Sequence, residues 1–160
     1  MPPKIDTILY CTGLGPNTDH IFGYAYLLAK RLDARIIALH VIEKLSSRQR
    51  ALVEGYAGSG SLSEIVERAK HGAESRLPRR IEELCKAEAP DEDWRDIVAE
   101  AVVAEGHVAE EILARVATTG ADMVVIGVHG ESSLTLGSTA RRLVRECPVP
   151  VLAVQVPEGS

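Results

Sequence analysis

Cysteine is scarce in this chain: Cys11, Cys85 and Cys147 are three in number and widely scattered. An odd, dispersed set excludes a disulfide framework and paired-cysteine metal spacing, and a reducing cytoplasm is the simplest compartment. Histidine supplies no metal pattern either, because His20, His71 and His107 share no ligand spacing among themselves or with cysteine. Long apolar runs are missing, and nothing approaches the ~18 residues of a membrane helix. The opening "MPPKIDTILY" lacks the basic-then-apolar order of a secretory signal. Positive charge is not in excess, since the formal net charge is −5, which gives no electrostatic ground for nucleic-acid binding. Neither a Ser–His–Asp set nor a carboxylate pair is supported by spacing, so no catalytic residue is assigned and an enzyme is not expected. The turn "TGLGPN" carries only half of the dinucleotide fingerprint, Gly13 and Gly15, with Thr18 where the third glycine belongs. There is no internal repeat and no linker, and 160 residues suit a single domain, 1–160, with one sizeable core.

What is present alternates. "IDTILYC" (5–11) reads as a buried strand closed by Gly13, Gly15 and Pro16. Ile21, Ala25, Leu28 and Leu32 then fall at helical spacing, with Asn17 or Thr18 as the cap. "ARIIALHVI" (34–42) is apolar on both faces, as a strand covered on two sides should be, and His40 within it reads as a hydrogen-bonded core histidine. "SSRQR" and "GYAGSGS" read as a polar, glycine-rich, mobile loop. Ser61 and Glu64 have capping-box spacing for a long helix with an inner stripe from Ile65 to Leu84, which Pro78 should kink. "RDIVAEAVVA" (95–104) is a third strand, Val108 to Val116 a helix stopped near Gly120, and "ADMVVIGV" a fourth strand. "STARRLVREC" is a last helix and "VPVLAVQV" a fifth strand.

Strands alternating with helices give an open parallel α/β sheet, helices on both faces, with the order 3-2-1-4-5 expected under right-handed crossovers. That order reverses between strands one and four, and ligands bind at such reversals beyond the strand C-termini. Two glycine-rich loops meet there: "TGLGPNT" and "GVHGESSLTLGST". In the second, Gly127, Gly130 and Gly137 shape a wall, Ser138 or Thr139 caps the next helix and donates to a phosphate, and His129 lies within reach. A plain connection would use the same residues differently: Gly127 ending the strand, Gly130 turning, Ser138 only capping. Arg141 sits in the first helical turn, where a cation is disfavoured unless an anion binds, while Arg142 reads as splayed into water. Cys11 reads as a small core residue beside the crevice rather than a reactive thiol.

"ADMVVIGVHG" followed by "LGSTARRLVRECPVPVLAV" resembles the C-terminal signature of the universal stress protein family. The likeness is specific over 104–154 and extends across nearly the whole chain. It implies a Rossmann-like fold of the adenine nucleotide alpha hydrolase type, a regulatory role in stress response, and homodimers, placed here on strand 149–156. It also implies, in one branch, an adenine nucleotide (ATP or AMP, with no metal beyond a nucleotide-associated Mg) on a G-x2-G-x9-G-(S/T) loop. Val41 matches a position lining the adenine. Two departures stand out. Only residues 131–136 separate Gly130 from Gly137, three fewer than the motif, and Gly13 stands where the family often has an aspartate. Two readings remain: a nucleotide-responsive regulatory module with an unidentified protein partner, or a dimeric interaction protein that does not bind nucleotide.

Overall fold

The structure is a computed structural model that describes residues 1–15, 17–57, 61–129 and 137–156, with only the backbone described at 56, 57, 61 and 129. Its strands are β1 (Thr7–Cys11), β2 (Arg35–Glu43), β3 (Val98–Gly106), β4 (Met123–His129) and β5 (Val151–Val156). The helices are α1 (Thr18–Leu32), α2 (Ser47–Ala57), α3 (Ser61–Glu88), α4 (Val108–Thr119) and α5 (Ser138–Glu146). The strands form one parallel sheet in the order β3-β2-β1-β4-β5, as the alternating pattern predicts.

Strand alternation divides the core in two. Ile8 and Tyr10 of β1 and Ile36 and Ala38 of β2 face α1 and α3, where Phe22, Ala25, Leu77 and Ile81 cover them. Leu9, Ile37 and Leu39 point the other way, toward Ile112 of α4 and Leu143 of α5. Every strand at the sheet centre is thus apolar on both sides, and the β1 side chains Ile8, Leu9 and Tyr10 are fully buried. Short returns keep the register. Gly120 ends α4 in the left-handed region (φ 67°), its N–H donating to the Val116 carbonyl, a conformation that costs glycine little. The Asp122 carboxylate accepts from the Asp6 and Thr7 N–H groups at 2.9 and 3.0 Å, locking the start of β4 to the start of β1.

Three local readings need correction. The segment read as a mobile loop contains α2. Its signal is a capping box: Ser46 Oγ accepts from the Gln49 N–H (3.2 Å) and Gln49 Oε1 accepts from the Ser46 N–H (3.0 Å). The helix buries little, Leu52 being exposed, so no apolar stripe marks it. Residues 95–97 precede β3 rather than belong to it, because Asp93 accepts from the Arg95 N–H and winds Trp94–Asp96 into a 3-10 turn. Asn17 occupies the N-cap of α1 in a left-handed conformation without a side-chain cap bond, while the Thr18 hydroxyl donates to the Gly15 carbonyl. The expected long helix is present as α3, which runs through Pro78 as one element of 28 residues. The Ser61 end of its expected capping box lies outside the described side chains.

Candidate functional site

Where β1 and β4 part company, a cleft of about 480 Å³ opens beyond their C-terminal ends. That volume lies within the range of small-molecule sites. β1 contributes Cys11 and the turn residues Thr12 and Gly13, β2 contributes Leu39 to Val41 and Glu43, and β4 contributes Ile126 to Val128. α4 closes one side with Val108 and Ile112, and α5 closes the far end with Gly137 to Ala140.

Of the residues singled out from sequence, Gly13, Val41, Gly127, Gly137, Ser138 and Thr139 all line this cleft. His129 ends β4, its backbone in register with Val156. Gly130 lies outside the described residues.

The turn after β1 is held by its own polar groups. Thr12 N–H donates to the Leu39 carbonyl (2.9 Å), and Thr12 Oγ1 accepts from the Leu14 N–H (3.1 Å). His40 Nδ1 lies 2.8 Å from the Thr12 carbonyl. His40 is therefore hydrogen-bonded, as expected, but it is half-buried and also forms part of the cleft wall. Leu14 and Asn17 adopt φ of 59° and 68°, so the left-handed conformations of this turn fall on non-glycine residues. Gly13 has no such φ, and a Cβ there would meet nothing within 4 Å among the described residues.

Gly127 has a packing reason that the loop reading did not foresee. A Cβ there would collide with Cδ1 of Ile21 and approach Val156 Cγ2 at 3.6 Å. α1 lies close over β4 because position 127 has no side chain.

At the α5 end, the N-cap is Gly137 and not Ser138, and no side chain among the described residues caps the helix. The first helical bond is Arg141 N–H to the Gly137 carbonyl (3.0 Å), so the N–H groups of Ser138, Thr139 and Ala140 precede the ladder at the cleft wall. Amides that precede the helical ladder, together with the positive end of the helix dipole, make such a terminus receptive to anions. Ser138 as first helical residue moves Arg141 one position further in. Arg142 is not free in water: its Nε binds Glu146 at 2.7 Å and its Nη1 approaches Glu110 of α4 at 3.4 Å.

Burial pushes the Cys11 thiol far up from its ordinary value, with Cys147 adding to the shift, so Cys11 stands in the wall as a neutral thiol. Sequence reasoning missed Glu43 and the α4 residues Val108 and Ile112. Glu43 was legible, being two residues beyond Val41 on one strand and hence on the same face. The α4 pair depends on helix packing and had no local signal.

Comparison with known proteins agrees with this fold. The chain matches the description of the universal stress protein family over residues 4–155. A universal stress protein of Thermus aquaticus is 31% identical over 130 residues, 79% of this chain and 82% of that protein. The structure of the universal stress protein UspA from Lactobacillus plantarum superposes with a TM-score of 0.70 at 20% identity, covering 96% of this chain and 99% of the other. A universal stress protein solved in complex with cAMP superposes with a TM-score of 0.56 at 15% identity, covering 97% of this chain and all of the other.

Proposed function

The chain belongs to the universal stress protein family, and on that footing we propose that it is a regulatory module which binds an adenine nucleotide in the cleft between β1, β2, β4 and α5. One observation carries the reading: six of the residues chosen from sequence surround a single cleft whose far end is the N-terminus of α5. The phosphate belongs at the Ser138, Thr139 and Ala140 amides, with the two hydroxyls as further donors. The base belongs against Val41, Leu39, Val108 and Ile112, the apolar half of the wall. The cAMP complex of a structural relative supports a nucleotide in this fold. A regulatory rather than enzymatic role is part of the same reading.

Calorimetry with ATP, AMP and inorganic phosphate tests the reading on the native protein and on Ser138→Glu. Glutamate in the first helical turn suits the helix dipole and leaves the fold intact, but it places a carboxylate where the phosphate would sit. Nucleotide affinity should fall by at least ~10-fold, the equivalent of one charged hydrogen bond. Unchanged affinity would remove the phosphate from this end of the cleft.

The second reading is a dimeric interaction protein of the same fold that binds no nucleotide. The shortened loop and Gly13 favour it. Mass spectrometry of small molecules released from the purified protein separates the two. In both readings the protein is a cytoplasmic homodimer joined through residues 149–156.

A further inference from the structure

The sheet has a second edge. β3 closes it on the side away from β5 and pairs with β2 alone. At nine residues it is longer than β5, which has six. In a parallel pair, alternate residues of a strand direct their N–H and carbonyl toward the neighbour, so the remaining ones of β3 point outward. Among the described residues, no backbone bond from outside the sheet reaches Ala99 to Glu105. Such a row is a template for another strand. Few of the usual protections are present: β3 holds no proline and no lysine, and its one irregularity of register lies at its start, opposite Ile36 and Ile37 of β2.

The charge along this edge narrows what fits. Residues 91–106 carry six carboxylates and one cation, Arg95, a net −5 that equals the formal charge of the whole chain. Lys30 binds Glu92, and Arg95 lies 3.6 Å from Asp93, both ahead of the strand. Glu100 and Glu105 are exposed on β3 itself, with no cation at ion-pair distance among the described residues. They stand five positions apart, so alternation sends them to opposite faces. Glu100 shares the face of Val102, toward α4, and Glu105 that of Val103, toward α3. Ala101, Val102 and Val103 between them are half-buried. At the Glu105 end, a second cavity of about 230 Å³ is lined by Glu105, Glu54 of α2, Glu67 of α3 and one cation, Arg50. It is too small for a whole ligand and suits the end of one long side chain. A second copy of the chain is a poor occupant. An antiparallel pair centred on Val102 and Val103 would set each Glu100 opposite a Glu105, like charges directly opposed.

We infer that the β3 edge is a docking site for an extended segment of a partner protein, added as a sixth strand, with two basic residues five positions apart and small or β-branched residues between them. Backbone bonds supply the attachment, Glu100 and Glu105 select the charge, and the acidic cavity takes one of the two basic side chains. The site is independent of the nucleotide reading, because none of these residues lines the β1–β4 cleft.

The test uses the full chain and three synthetic hexapeptides. One is Lys-Thr-Val-Thr-Val-Lys, the second is the same peptide N-methylated at every internal amide, and the third has glutamate at both ends. Amide chemical shifts and hydrogen exchange are followed over residues 99–105. The lysine peptide should protect alternate β3 amides, and high salt should weaken it. N-methylation removes the donors a strand needs and should cost at least ~10-fold in affinity. The double change Glu100→Lys and Glu105→Lys, at exposed positions and checked for folding by thermal melt, should weaken the lysine peptide roughly three- to tenfold and make the glutamate peptide the better ligand. Equal binding of the N-methylated peptide would reduce the contact to charge attraction without strand addition and overturn the inference. So would β3 amides left unprotected by the lysine peptide at millimolar concentration, or a glutamate peptide bound by the native protein as tightly as the lysine one. β3 amides already protected in the free protein would give the edge to a second copy and overturn it as well.

Discussion

At the scale of single residues, the site glycines have different physical reasons. Gly13 has nothing within 4 Å of its missing Cβ among the described residues, while Gly127 is needed because Ile21 occupies the volume a side chain would fill. Gly127→Ala should therefore destabilise the protein by about 1–3 kcal/mol, the usual range for overpacking. Shortening the obstructing side chain with Ile21→Val should recover much of that loss. Urea unfolding of the two single variants and the double variant measures the coupling, and strictly additive effects would show that the two positions do not compete for space. Buried acids set a second expectation. Burial pushes Tyr10 from its ordinary 10.0 to about 12 and Cys85 from 9.0 to about 11. Both groups hold their protons longer in the folded state than in the unfolded one. Their contribution is complete below the unfolded values and is lost as the pH rises through the folded ones. Stability should be level up to about pH 9 and decline between pH 9 and 12, a window that denaturant melts at stepped alkaline pH will locate. A flat profile to pH 12 would contradict the buried placement of these groups.

At the scale of elements, α2 shows how a helix can exist without a hydrophobic stripe. Its start is specified by the Ser46–Gln49 capping box, and its outer face remains exposed. Gly55 lies in its interior with nothing among the described residues near its missing Cβ. Gly55→Ala should accordingly raise stability by about 0.5–1 kcal/mol, because alanine has less backbone freedom to lose on folding. A lowered melting temperature would mean that residue 55 is not helical in solution. α5 is tied differently. Arg142 links it to Glu110 of α4 at the end of the helix pair that frames the cleft, through exposed groups whose attraction weakens with salt.

At the scale of the whole molecule, the strand order leaves β5 at an edge. Val154 and Val156 are buried in the core shared with α1, whereas Ala153 and Gln155 are exposed and Val151 and Leu152 half-buried. Apolarity along this strand thus has two causes, and only the outward positions are available for pairing with a second copy. A charge at Val154 would damage the core itself. Ala153→Lys is the informative change: it should leave the thermal melt of the subunit nearly intact and shift sedimentation from dimer to monomer at micromolar concentration. A dimer that survives it would place the interface elsewhere.

The sequence by itself determined the alternation of strands and helices, their parallel order and the end of the sheet where a ligand would lie. Those follow from periodicity and crossover handedness, which are local or nearly so. The residues of the cleft were legible in part for the same reason: Gly137, Ser138 and Thr139 begin a helix after a strand, and strand ends converge by topology, whereas Val41 was marked by the family resemblance. Tertiary structure alone decided the rest. Gly127 is explained by Ile21, distant by more than a hundred positions in the chain, and Val108 and Ile112 reach the cleft only because α4 packs across β2. His40 changed from a core residue to a wall residue because β2 extends past the sheet's covered region. Steric exclusion and solvent exposure depend on which surfaces meet, and no local pattern in a single chain encodes that meeting.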